Sequence, residues 1–296
     1  MAVCGLGCCE DHQEVAVRAR KSRSRWRRTP RNKIERLIAY ALFVMLVLWA
    51  PASSFAQSPF DGTWRINMDQ SKMSPTPIVL LLNKGMYDSS LYSPKIHVKA
   101  DGQDQPVTGQ YFDTINVREV NPKSIAIIIK KSGKTVREWT YTVSDDGNTL
   151  MVEGTIHPKN SDQTVSTGVT LTRVGKAPAE ANGISGSWRV NKLKASENDL
   201  LTTYKSRADE LSMSAPRGQS DTAKVDGKDY PVKGSYTYNS VSLKRVDART
   251  IEETDKRDGK VIEVDKMTIS PDGKKMTEVV TNKLTGRTST YVAEKQ

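Results

Sequence analysis

The chain has 296 residues, 36% of them hydrophobic and 6% aromatic, with three cysteines and a formal net charge of +11. That length fits two domains, and Val/Ile/Thr runs with strand periodicity exclude disorder as the governing class. Ten of the 45 Lys/Arg and four of the 34 Asp/Glu fall in residues 1–56, so the remainder carries only about +5 with both signs interspersed. No basic stripe with interleaved aromatics tracks a phosphate backbone there, and nucleic acid is excluded from the expected partners.

Residues 1–56 have the order of a secretory signal. A basic run from Arg18 to Arg36 precedes the uncharged apolar stretch Leu37 to Ala50, which Pro51 breaks. Ser54-Phe55-Ala56 then offers small residues where a signal peptidase inspects, so cleavage is expected before Gln57. Fourteen apolar residues are short of the roughly 20 that cross a bilayer, which favours release over anchoring. The expected location is exported, periplasmic or extracellular. An uncleaved segment would be the alternative anchor and the only membrane contact. Cys4, Cys8 and Cys9 all lie in this leader, with His12 nearby, at a spacing poor for zinc. Beyond it the chain has no thiol, which excludes a disulfide, a cysteine nucleophile or a thiolate metal site.

The first module, residues 57–175, opens on Gly62-Thr63-Trp64. Strands are predicted at Thr63 to Asn67, Ile78 to Leu82 and Ile96 to Lys99, and Asp101-Gly102 predicts a tight hairpin. Further strands are predicted at Thr114 to Val120, Ser124 to Lys131, Lys134 to Ser144, Asn148 to His157 and Thr164 to Val174. Turn signals every 8–12 residues between alternating strands predict an antiparallel barrel or sandwich. Alternation puts Ile125, Ile127 and Ile129 on one face, and Trp139, Tyr141 and Val143 on one face of the next strand.

Residues 176–183 are small, polar and Gly-bounded, and predict a linker. Residues 184–296 repeat the plan. Gly186-Ser187-Trp188 answers the first Gly-x-Trp, and Lys224-Val225-Asp226-Gly227-Lys228-Asp229-Tyr230-Pro231-Val232-Lys233-Gly234 answers the stretch from Lys99 to Gly109, 125 positions earlier. Two differences stand out. Ser196 to Leu211 fits a short helix or paired strands. Glu253 and Asp255 replace Ile127 and Ile129.

The two Gly-x-Trp openings resemble lipocalins. The longer Asp-Gly-x-Asp-x-Pro-Val-x-Gly motif, with Arg249-Thr250-Ile251-Glu252-Glu253-Thr254-Asp255-Lys256-Arg257-Asp258-Gly259-Lys260-Val261, resembles secreted tandem lipocalin-like proteins of soil bacteria that lack an established activity. The resemblance covers residues 57–296 and implies two tandem antiparallel lipocalin-like β-barrels, with two open β-sandwiches as the alternative. It also implies that a late-strand arginine covers each barrel-end tryptophan, pairing Trp64 with Arg173 and Trp188 with Arg287.

No catalytic constellation appears: there is no Gly-x-Ser-x-Gly elbow, His-Glu-x-x-His or P-loop, so neither enzyme activity nor a cofactor or metal is expected. His97 and His157 sit on different strands without spaced ligands, and Asp101, Asp146, Asp226 and Asp272 each precede glycine in a turn. Glu253, Asp255, Glu263 and Asp265 can share one face of two strands. The simplest assignment turns that face to water, with Lys256, Lys260 and Lys266 as counter-charges; an inward face would need partners or a cationic ligand. The function expected is binding of a small apolar or amphipathic ligand without catalysis, with Trp139, Tyr141, Ile127, Ile129, Glu253 and Asp255 as candidate contacts. An envelope protein with filled barrels and a surface partner is the alternative. Nothing in the sequence bears on oligomeric state.

Overall fold

A computed structural model describes residues 58–176 and 178–296, and these form an all-β protein of two antiparallel, barrel-like sheets. The leader readings, including cleavage before Gln57 and the cysteines, lie outside the described residues. In chain order the first repeat supplies β1 (Gly62–Ile66), β2 (Ile78–Asn83), β3 (Met86–Ser89), β4 (Ile96–Lys99) and β5 (Asp101–Pro106). It continues with β6 (Thr114–Asn121), β7 (Ser124–Lys131), β8 (Lys134–Val143), β9 (Thr149–Ile156) and β10 (Val165–Gly175). The second repeat supplies β11 (Gly186–Lys194), β12 (Leu201–Arg207), β13 (Glu210–Ser214), β14 (Ser220–Lys224) and β15 (Tyr230–Lys233). Then come β16 (Ser240–Asp247), β17 (Thr250–Arg257), β18 (Lys260–Ile269), β19 (Lys275–Asn282) and β20 (Thr288–Lys295).

Ser196 to Leu211 resolves into both of its readings: one turn of 3-10 helix at Glu197–Leu200, then β12 and the start of β13. The hairpin turns β7–β8 and β17–β18 use Ser132-Gly133 and Asp258-Gly259, with both residues of each pair at positive φ, the geometry a type I′ turn requires. Asp101, Asp146, Asp226 and Asp272 each accept, through Oδ1, the backbone N–H two residues on. Turn chemistry explains all four. The hairpin expected at Asp101-Gly102 does not form. Among the described residues β4 pairs only with β3 and β5 only with β6, so these two consecutive strands are the edges of the first sheet there. The second barrel is closed all round.

The repeats exchange their first strands. β11 pairs with β10 and β2, completing the first barrel, while β1 pairs with β12 and β20, completing the second. Two modules cut at 175 and 184 are therefore not two separate barrels. Strands close in sequence tend to pair, and β11 follows β10 after a short connection, so it occupies the slot β1 would otherwise take. The expected linker is also partly built in. Asn182 is buried, its amide nitrogen donates to Glu119 Oε1 (2.7 Å) and the Asn121 carbonyl (2.9 Å), and Gly183 N donates to the Pro122 carbonyl (2.7 Å).

Each tryptophan follows its strand into the other repeat's core. Trp188 packs with Leu82, Tyr87, Ile115, Ile125 and Leu150, whereas Trp64 packs with Tyr204, Leu243, Ile251 and Met267. Both indoles donate to the carbonyl four residues earlier, Trp64 to Phe60 and Trp188 to Ile184, each at 2.8 Å. The expected cation pairings are corrected accordingly. Arg173 lies over Trp188 with Cζ 4.1 Å from the ring centroid, because the two residues face each other across β10 and β11. Trp64 is covered by Lys295, its partner across β1 and β20, at 5.2 Å. Arg287 covers neither indole. The glycine of each Gly-x-Trp has a positive φ and leaves room for this cation: a Cβ on Gly186 would strike Arg173 Nη1, and one on Gly62 would come within 2.6 Å of Lys295 Cε.

Candidate functional sites

Both barrels contain a cavity, and equivalent strands line the two with opposite chemistry. In the first, of about 290 Å³, the inward face of β8 presents Arg137, Trp139 and Tyr141, opposite Leu150 and Val152 of β9 and Leu171 of β10. Ile78, Leu80 and Val190 add to an apolar wall. Trp139 fits because its cross-strand partner is Gly154, where a Cβ would lie 2.6 Å from the indole Cε3. Ile127 and Ile129, also expected as contacts, are 3% and 0% exposed and belong to the core rather than the cavity wall.

Arg137 and Arg287 are the two charged side chains of that wall among the described residues, beside the hydroxyls of Ser74, Thr76 and Ser289. Arg287 begins near the start of β20, so the second barrel reaches into the cavity of the first. It donates through Nη1 to the Ser90 carbonyl (3.0 Å) and through Nη2 to the Pro77 carbonyl (3.2 Å). Arg137 has its guanidinium 5.2 Å from the centroid of the Tyr111 ring. The Nε of both arginines and the Tyr111 hydroxyl are buried without a hydrogen-bond partner among the described residues. Buried donors left unpaired are costly, and an acceptor arriving in the cavity would relieve that. Arg137 was within reach of sequence reading, since the alternation of Trp139 and Tyr141 extends one step back to it. No sequence signal carries Arg287 across to the other barrel.

In the second cavity, of about 240 Å³, the corresponding face is acidic: Glu253 and Asp255 on β17, Glu263 and Asp265 on β18, and Glu278 on β19. The water-facing assignment of this face is thereby corrected; it looks inward, with Asp255 and Asp265 2% and 7% exposed. The register is that of the first barrel. Glu253 faces Asp265 where Ile127 faces Trp139, and Asp255 faces Glu263 where Ile129 faces Arg137. Burial, then the neighbouring carboxylates, hold Glu253 and Asp255 protonated well above the ordinary range and push Asp265 up to about 10. Burial pushes Glu278 and Asp221 up to about 7, the former with help from Glu263. Arg217 is the one basic side chain lining this cavity among the described residues; it is partly exposed and 3.8 Å from Asp199.

The two histidines have single carboxylate neighbours across a strand pair, His97 with Asp88 (2.6 Å) and His157 with Glu138 (3.1 Å), and neither pair lines either cavity. No protein-family model matches the chain, and neither a curated protein nor a solved structure matches it.

Proposed function

We propose that the protein is an exported binding protein whose first barrel takes an amphipathic molecule with an anionic head, without covalent chemistry. The observation that carries this reading is the pair of arginines with unpartnered Nε groups in the wall of a mainly apolar cavity. Binding sites are typically apolar hollows with a few polar groups that fix orientation. An eight-stranded barrel can be filled by its own side chains, and ten strands enclose more space. Cavities of about 290 and 240 Å³ support the ligand-binding reading over a filled barrel with a surface partner. Export rests on the leader: basic run, apolar stretch, Pro51 and Ser54-Phe55-Ala56.

The test is isothermal titration of delipidated full-length protein with decanoate and with decanol. A charge-assisted hydrogen bond contributes about 1.5–3 kcal/mol, so decanoate should bind roughly 10- to 100-fold tighter. Arg137→Met should remove most of that preference while retaining decanol binding. No binding of either probe, or equal affinity for both, would overturn the reading.

A further inference from the structure

We propose that the second barrel is a binding site for a hard divalent cation, calcium in first place, held by Glu253, Asp255 and Asp265. One carboxylate oxygen from each of these three lies within 4.8 Å of the others, about twice a calcium–oxygen bond. Asp255 Oδ1 and Asp265 Oδ1 are buried with no hydrogen-bond partner among the described residues, and both side chains line the cavity. Buried carboxylate oxygens of this kind need a donor or a cation.

Among the described residues no donor reaches either oxygen. Glu253 and Asp265 stand directly opposite across β17 and β18, as do Asp255 and Glu263, so their ionised forms repel unless a cation lies between them. Arg217 is engaged toward Asp199. The fold does not demand acids here, because the same inward positions of the first barrel carry Ile127, Ile129, Arg137 and Trp139. Among the described residues the donor set is all oxygen, with no imidazole or thiolate in the cavity wall, which selects magnesium, manganese or calcium over zinc or copper. Calcium accepts six to eight oxygens in irregular geometry, whereas magnesium demands a near-ideal octahedron. Three ligands on two adjacent strands, in a cavity with room for waters, suit calcium better. This inference rests on the second barrel alone and stands apart from the ligand of the first.

The experiment uses full-length protein stripped with a chelator and titrated with calcium, magnesium and spermidine, read by calorimetry and thermal unfolding. Terbium luminescence is the second readout, because Trp64, Tyr204 and Tyr238 also line the cavity and can sensitise a bound ion. One calcium per chain is expected, raising the unfolding midpoint by roughly 5–10 °C at a hundredfold excess over Kd. Terbium should luminesce and be displaced by calcium. Asp265→Asn and Glu253→Gln should each abolish the calcium-dependent rise and the terbium signal, while Glu252→Gln, on the opposite face of β17, should keep both. Should Asp265→Asn not fold, Glu253→Gln decides. Absence of any calcium response, a response that survives both cavity substitutions, or binding of spermidine without calcium would each overturn the assignment.

Discussion

Trp64→Ala separates the exchanged fold from two self-contained repeats. Trp64 is 1% exposed, donates to the Phe60 carbonyl at 2.8 Å, and packs with Tyr204, Leu243, Ile251 and Met267, all residues of the second repeat. Removing a buried tryptophan costs about 3–5 kcal/mol, from lost burial plus the cavity left behind. The loss falls on the barrel that contains the side chain, not on the repeat that encodes it. Every 1.4 kcal/mol is tenfold, so amides that exchange through opening of the second barrel should accelerate roughly a hundredfold to several-thousandfold. Hydrogen exchange read by mass spectrometry, comparing peptides from β16–β19 with peptides from β6–β9, provides the assay. Trp64→Ala should accelerate the former, and Trp188→Ala should accelerate the latter. Acceleration confined to β6–β9 in Trp64→Ala would refute strand exchange and restore two contiguous barrels.

Three further outcomes are expected. In chelator, stability should fall from pH 5 to pH 8: the folded state keeps protons on Asp221, Glu278 and Asp265 up to about pH 7, 7 and 10, whereas the unfolded chain releases them near pH 4. The slope has an upper bound of about 1.4 kcal/mol per pH unit for each such group, and urea midpoints that are flat or rising across this range would contradict it. Gly154→Ala should destabilise the first barrel by about 2–3 kcal/mol in urea and weaken decanoate binding, because the new methyl strikes the Glu138 carbonyl and the Trp139 ring. Arg173→Leu should cost about 3 kcal/mol or more, since Arg173 also donates to the Gly147, Gly183 and Ser185 carbonyls. Lys295→Leu should cost only about 1 kcal/mol, the scale of the cation–π contact it loses over Trp64; equal urea midpoints for these two variants would sink the distinction.

Local chemistry made much of this protein legible from its residues alone. Period-two alternation located β6 to β10 closely, and the repeat doubled them, because side chains on a pleated strand must alternate between core and water. The same alternation placed Trp139 and Tyr141 together on the wall of the first cavity. The short strands β3 and β5 escaped it. Asp88 and Asp104 look like loop residues, and only pairing with a neighbour makes those segments strands. Three further outcomes depended on partners distant in sequence. Which barrel receives each tryptophan is settled by competition between β1 and β11 for the same edge, which no local window contains. Which cation covers each indole follows from that register, so Lys295 covers Trp64 in place of the expected Arg173, and Arg173 covers Trp188 in place of the expected Arg287. The direction of the acidic face was hidden for a different reason: alternation identifies two faces of a strand, but composition normally tells which is inside, and here five carboxylates occupy the inside. Only closure of the sheet into a barrel decides that they face one another.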